Sequence, residues 1–169
     1  MSNELKQPRG LRNNNPLNIR RSGDKWQGLK ALQEDREFFQ FTEMKYGWRA
    51  AFRLLCHTYY GKYKLKTIRD IIYRWAPPNE NGTLAYIRSV AERTGINADS
   101  ELGDPATHAA QWLMIGMAMA IVENGLIKRE QSDARISSAE REDGRPKVNG
   151  TTNQDWLSML KGFEMAVEN

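Results

Sequence analysis

From Trp112 to Val122 the chain reads Trp-Leu-Met-Ile-Gly-Met-Ala-Met-Ala-Ile-Val, apolar throughout. A helix with no polar face cannot lie on a surface, so this run predicts a buried central helix with other helices packed around it. It is too short to span a bilayer, which takes about 20 apolar residues. Its methionines are expected to fill core space rather than bind a metal. With 169 residues, 40% hydrophobic and 27% charged, the chain can close one core around such a helix without disulfides or metal. The expected fold class is therefore mainly α.

The remaining helices are marked by spacing and punctuation. Trp48, Ala51, Phe52, Leu55 and Tyr59 return every three or four residues and predict a helix over Tyr46–Tyr60. Thr67 caps a second helix that Pro77-Pro78 stops after Trp75. Thr83 opens a third, with Leu84, Ile87, Val90 and Ala91 on its inner side, ending at Gly95. The central helix is expected to start at Asp104-Pro105 and to run to Glu123. Residues 10 to 45 carry short apolar pieces, Leu17-Asn-Ile19, Trp26-Gln-Gly-Leu29 and Phe38-Phe-Gln-Phe41, among Asn, Gly and Asp, and predict an irregular segment with a small β-hairpin.

Composition changes after this core. The stretch 129–154 is rich in Glu, Arg, Ser, Asp, Gly and Asn and reads as a linker between a domain over 1–128 and a short amphipathic helix over 155–169. In that helix Asp155 is the expected cap, and Trp156, Leu157, Leu160, Phe163 and Val167 form one apolar face for the domain itself or for a protein partner.

Several chemistries are poorly served. His57 and His108 have no ligand-spaced partners, so no metal is expected. Phosphate cradles, dinucleotide fingerprints and serine elbows are absent, and no cofactor is implied. Cys56 and His57 are neighbours, about 100° apart on a helix, which does not suit a nucleophile and its base. The net charge of +4 favours an anionic partner such as a bacterial wall. Arg9, Arg12, Arg20, Arg21, Lys25 and Lys30 lie near Trp26, yet Glu34, Asp35 and Glu37 follow at once and blunt that field, so nucleic acid is not the expected partner. The N-terminal residues lack the apolar core of a signal peptide, so synthesis in the cytoplasm is expected.

Carboxylates, amides and aromatics remain, the groups that a glycan-cleaving site uses. Glu123 ends the most apolar helix just before Asn124-Gly125. Desolvation beside Ile121 and Val122 would raise its pKa, as an acid catalyst needs, although the same position suits a solvated helix end. Glu80 lies in the loop Pro77-Pro-Asn-Glu-Asn-Gly82, where it serves either as a second carboxylate or as a cap for the following helix.

The stretch Arg9-Gly-Leu-Arg-Asn-Asn-Asn-Pro-Leu-Asn-Ile-Arg20, with Trp26-Gln-Gly28, Phe38-Phe-Gln-Phe41, Tyr46-Gly-Trp-Arg-Ala50, Trp75 to Thr83, Tyr86 and Ile121-Val-Glu-Asn-Gly125, resembles a phage lysin or virion-protein family related to lytic transglycosylases. The segment from Asn14 to Leu55 also resembles bacterial-wall glucosaminidases, with Asn18 where that family has Gly. In lysozyme-like folds the catalytic Glu ends a helix that precedes this segment. Here the helix ending in Glu123 follows it, so the resemblance implies a circularly permuted lysozyme-like fold that cleaves peptidoglycan glycan strands. It implies Glu123 as general acid and Asn14, Asn15 and Asn18 as ligands for N-acetyl or hydroxyl groups. Trp26, Trp75 and Tyr86 would wall the cleft, with Thr83 also at the substrate.

With no second carboxylate, the resemblance implies a lytic transglycosylase. With Glu80 about 6.5–9.5 Å from Glu123 an inverting hydrolase would follow, and with about 5–5.5 Å a retaining one. A protein with no signal sequence would reach the wall through a holin, a virion or lysis. The competing expectation is a non-enzymatic phage structural or glycan-binding protein that keeps the fold.

Overall fold

The computed structural model describes residues 7–78, 82–125 and 153–168. The expected 129–154 linker lies almost wholly outside the described residues. The chain is mainly helical: α1 (Arg9–Arg12), α2 (Met44–Phe52), α3 (Ile68–Trp75), α4 (Thr83–Thr94), α5 (Ala109–Glu123) and α6 (Asn153–Val167). None of the described helices is long and apolar enough to cross a membrane.

α5 lies at the centre, with Trp112, Ile115, Met119 and Ile121 buried. Its start is Ala109, not Asp104-Pro105. The Asp104 carboxylate accepts the Ala106 N–H at 2.8 Å and the Asp104 carbonyl accepts those of Thr107 and His108. These bonds close a turn that stops the helix from extending backwards. Gly116 lets Phe52 approach the helix, since a Cβ there would sit 2.8 Å from the Phe52 ring. α5 ends at Asn124 and Gly125, whose φ of 66° is the left-handed stop that glycine supplies.

The expected helix over Tyr46–Tyr60 is present in two registers. α2 passes at Arg53 into a π-helical segment, Arg53–Lys62, in which hydrogen bonds run between residues five apart. α3 carries the Thr67 cap, whose hydroxyl accepts the Asp70 N–H at 3.1 Å, and buries Ile68, Ile71 and Ile72. α4 buries Tyr86, Ile87 and Val90. Leu84, expected inside, is 59% exposed, because it lies off the arc defined by Thr83, Tyr86, Ile87 and Val90.

The predicted hairpin reduces to two isolated antiparallel bridges, Arg20 with Phe38 and Leu29 with Phe41. Side chains take the backbone groups that a ladder would use. Gln33 bonds both the N–H and the carbonyl of Gln40. The Gln40 side-chain Oε1 accepts the Glu34 and Asp35 N–H groups. Asn15 bonds the backbone of Ile19 and Phe39.

α6 belongs to the same core. It begins at Asn153, ahead of the expected Asp155 cap, and packs mainly on α2. Met159, Phe163 and Ala166 are buried, while Leu157 and Leu160, expected on the apolar face, are 60% and 40% exposed. Gly162 sets this rotation, since a Cβ there would meet the Trp48 side chain and lie 2.7 Å from the Lys45 carbonyl oxygen and 2.8 Å from the Arg49 nitrogen. Phe163 meets Phe52 edge-on at 5.0 Å. At the helix end the Ala166 carbonyl oxygen lies 3.3 Å from the Arg53 guanidinium and 2.9 Å from His57 Nε2, where a basic group suits the negative helix terminus.

Gly162→Val is therefore expected to push α6 off α2. The loss is about 1–3 kcal/mol for overpacking against backbone that cannot yield. Urea unfolding followed by far-UV circular dichroism measures it, and an unchanged midpoint would contradict this packing.

Candidate active site

Glu123 stands at the C-terminal end of α5, where four separate parts of the chain converge. Tyr86, from α4, donates its hydroxyl to Glu123 Oε2 at 2.8 Å. Trp75, from the end of α3, donates its indole N–H to the same oxygen at 3.2 Å. Asn18, from the N-terminal loop, donates its amide to Glu123 Oε1 at 3.3 Å and to the Glu123 carbonyl at 3.1 Å. Held from both sides, the carboxyl has a fixed plane. The next residue, Asn124, is buried and donates to the Pro16 and Ala120 carbonyls, which staples the N-terminal loop to the end of α5.

In front of this carboxylate lies a cleft of about 250 Å³ lined by Asn18, Ile19, Arg20, Phe38, Leu54, Tyr59, Trp75, Ala76 and Glu123. Among these described residues Glu123 is the carboxylate. The π-helical register brings Leu54 and Tyr59, five apart, onto the cleft side together. Tyr59 meets Trp75 edge-on at 5.9 Å. Burial, and then the charge and hydrogen bond of Glu123, push the Tyr86 phenol well above its ordinary range. It therefore remains an O–H donor to Glu123 across neutral pH.

Phe38 also lines the cleft and is positioned by a charged clasp. The Arg9 guanidinium lies 4.7 Å from its ring centroid and that of Arg20 lies 5.5 Å away. Arg9 in turn grips Asp35 in a bidentate pair at 2.7 Å and reaches Glu37 at 2.7 Å. The Asp35 carboxylate also accepts from Asn13 and from the Glu37 and Phe38 N–H groups. Arg9 above all, then these other donors, hold the Asp35 carboxyl well below the usual carboxylate range.

A depressed folded value means that Asp35 stabilises the fold above its unfolded pKa of about 3.9. The contribution is lost as pH falls through the lower folded value. The stability gap between wild type and Asp35→Asn is thus expected to be widest near neutral pH and to close below pH of about 4. Urea midpoints measured from pH 7 downward test this, and a gap independent of pH would contradict it.

Sequence-selected residues divide into two groups. Glu123, Asn18, Trp75 and Tyr86 meet at one point, with Tyr86 behind the carboxylate rather than walling the cleft. Asn18 has a φ of 52°, the left-handed conformation in which Gly is the usual residue and Asn a tolerated one.

The others do not reach the cleft. Asn15 is fully buried and bonds only backbone: its amide nitrogen donates to the Ile19 and Phe39 carbonyls at 3.0 Å and its oxygen accepts the Ile19 N–H at 2.9 Å. Asn14 donates to the Phe41 carbonyl at 3.1 Å. Thr83 is buried and donates to the Ala76 carbonyl at 2.6 Å, tying the end of α3 to the start of α4. Trp26 is half-buried against the core. None of these four lines the cleft in front of Glu123. Glu80 lies outside the described residues, and with it the second carboxylate.

Sequence reasoning missed Phe38, Tyr59, Leu54 and the role of Arg20 in this cleft. The only available signal was their place within the resembling motifs and on the helix after Tyr46.

A larger cavity, about 330 Å³, lies elsewhere, beside Cys56, His57, Lys64, Lys66 and Asp104. Burial pushes the Cys56 thiol far above its ordinary range, so it is neutral and not nucleophilic. No group of three His, Cys, Asp or Glu among the described residues is placed to hold a metal. The organised chemistry is at Glu123.

This chain is similar to Protein P5 of Pseudoalteromonas phage PM2, with 45% identity over 120 residues that cover 69% of this chain and 71% of that protein. No protein-family model matches the chain.

Proposed function

This chain belongs to the family of Protein P5 of Pseudoalteromonas phage PM2, and we propose, from the geometry around Glu123, that it cleaves the glycan strand of peptidoglycan. The observation that carries this reading is the convergence of Asn18, Trp75 and Tyr86 on Glu123 at the end of a buried helix, beside a cleft with Tyr59 and Phe38 in its walls. The same convergence supports a permuted lysozyme-like arrangement, in which the N-terminal loop lies against a helix that comes later in the chain.

In this reading Glu123 gives its proton to the glycosidic oxygen as the C–O bond breaks. With Glu123 as the carboxylate among the described lining residues, a lytic transglycosylase is the favoured form. A hydroxyl of the same sugar attacks the anomeric carbon, its proton returns to Glu123, and an anhydro sugar is formed without water. Asn18 and Arg20 would bond the sugar's polar groups while Phe38 and Tyr59 pack its ring. A protein of this kind reaches the wall through a holin, a virion or lysis.

One observation favours a second reading. Glu123 also joins α3, α4, α5 and the N-terminal loop, which a purely structural carboxylate would do in a non-enzymatic glycan-binding or virion protein.

Incubating the protein with purified peptidoglycan and identifying released fragments by mass separates the two. Fragments with anhydro ends support the transglycosylase, and reducing ends indicate a hydrolase. Wall binding with no release by folded protein would leave the structural reading.

A further inference from the structure

Beyond Glu123 the aromatic series continues outward. Tyr63 ends the π-helical segment, and its N–H donates to the Thr58 carbonyl, five residues back, at 2.9 Å. Its ring lies 6.2 Å from that of Tyr59 with the planes 35° apart. Tyr59 meets Trp75 at 5.9 Å, and Trp75 donates to Glu123. Three rings thus lead from the carboxylate toward the surface, where Tyr63 is 39% exposed.

Cations lie over the outer ring. The Arg74 guanidinium lies 4.2 Å from the Tyr63 centroid and 6.0 Å from that of Tyr59, and the Lys62 ammonium is 5.8 Å from Tyr63. Arg74 holds the exposed ring in one orientation, so less rotamer freedom remains to be lost when a ligand packs on it. The register explains the placement: bonding between residues five apart is uncommon and concentrates at functional sites, and here it carries the helix past Leu54 and Tyr59 in the cleft to Tyr63 outside.

We propose that Tyr63 and Arg74 form an outer sugar subsite, one saccharide along the strand from the unit at Glu123. The proposal rests on the glycan reading of that cleft. A pyranose offers apolar C–H groups to an aromatic ring and hydroxyls to cationic donors, and the exposed part of Tyr63 with Arg74 stacked on it presents both. Longer glycans are therefore bound more tightly than a disaccharide.

Calorimetric titration of the full chain with chitobiose and chitohexaose tests this. Wild type is expected to bind the hexaose about tenfold more tightly, a difference of one decade in Kd. Folded Tyr63→Ala is expected to lose that preference while keeping its affinity for chitobiose, and Tyr63→Phe to retain it. A length preference that survives in folded Tyr63→Ala overturns the outer subsite and leaves the Glu123 reading intact. Failure of wild type to bind either oligosaccharide overturns the glycan reading and the subsite with it.

Discussion

Glu123→Gln is expected to reduce release of soluble fragments from peptidoglycan by about 10²–10⁴-fold, the usual contribution of a positioned general acid. The substitution keeps the shape of the side chain. Its amide oxygen can still accept from Tyr86 and Trp75, which now hold Glu123 Oε2, so the fold is expected to survive. What is removed is the proton for the glycosidic oxygen. Glu123→Asp should be impaired as well, because the shorter side chain withdraws the carboxyl from donors on α3, α4 and the N-terminal loop. Full fragment release by Glu123→Gln would remove Glu123 as the acid. A large fall in stability with wall binding retained would favour the structural carboxylate.

The second large effect is on stability. Asn15→Ala is expected to cost roughly 2–4 kcal/mol, because the Ile19 N–H and the Phe39 carbonyl each lose a buried partner, at about 1–3 kcal/mol per group. In a chain of this size that is a fall in Tm of about 10 °C. The Ile19 carbonyl keeps the Phe39 N–H at 3.1 Å, so the loss is smaller than three unpaired groups would give. Asn15 holds the backbone of Ile19 and Phe39, immediately after Asn18 and Phe38, and its removal should loosen the cleft lining that these two residues form. Thermal unfolding and glycan binding together decide the matter. Normal stability with lost binding would mean that Asn15 is a sugar ligand after all.

These expectations rest on signals of different range. The central helix, the Thr67 cap, the Pro77-Pro78 stop and the Gly95 and Gly125 ends were legible because each depends on neighbours within one or two turns. Glu123 was legible as a candidate because it follows the most apolar run directly. The asparagines show the limit of that kind of reading. Asn14, Asn15 and Asn18 share one loop and one side-chain chemistry, and only the path of the chain after Phe38 decides which of them ties backbone and which faces the carboxylate.

The C-terminal helix teaches the same lesson through packing. Trp156, Leu157, Leu160, Phe163 and Val167 predict one face, but close contact with α2 selects the face bearing Met159, Gly162, Phe163 and Ala166 and leaves Leu157 and Leu160 exposed. Likewise the apolar pieces between residues 17 and 41 predict paired strands, whereas Gln33, Gln40 and Asn15 capture the ladder's backbone groups.

The sequence by itself determined a mainly helical chain, its buried central helix and a carboxylate at that helix's end, because hydrophobic periodicity and caps act locally. Tertiary structure alone decided that Asn18, Trp75 and Tyr86 close on Glu123 from three distant segments and that Phe38 and Tyr59 face its cleft. Those placements follow from hydrogen bonds and close packing between residues far apart in the chain, which no local pattern encodes.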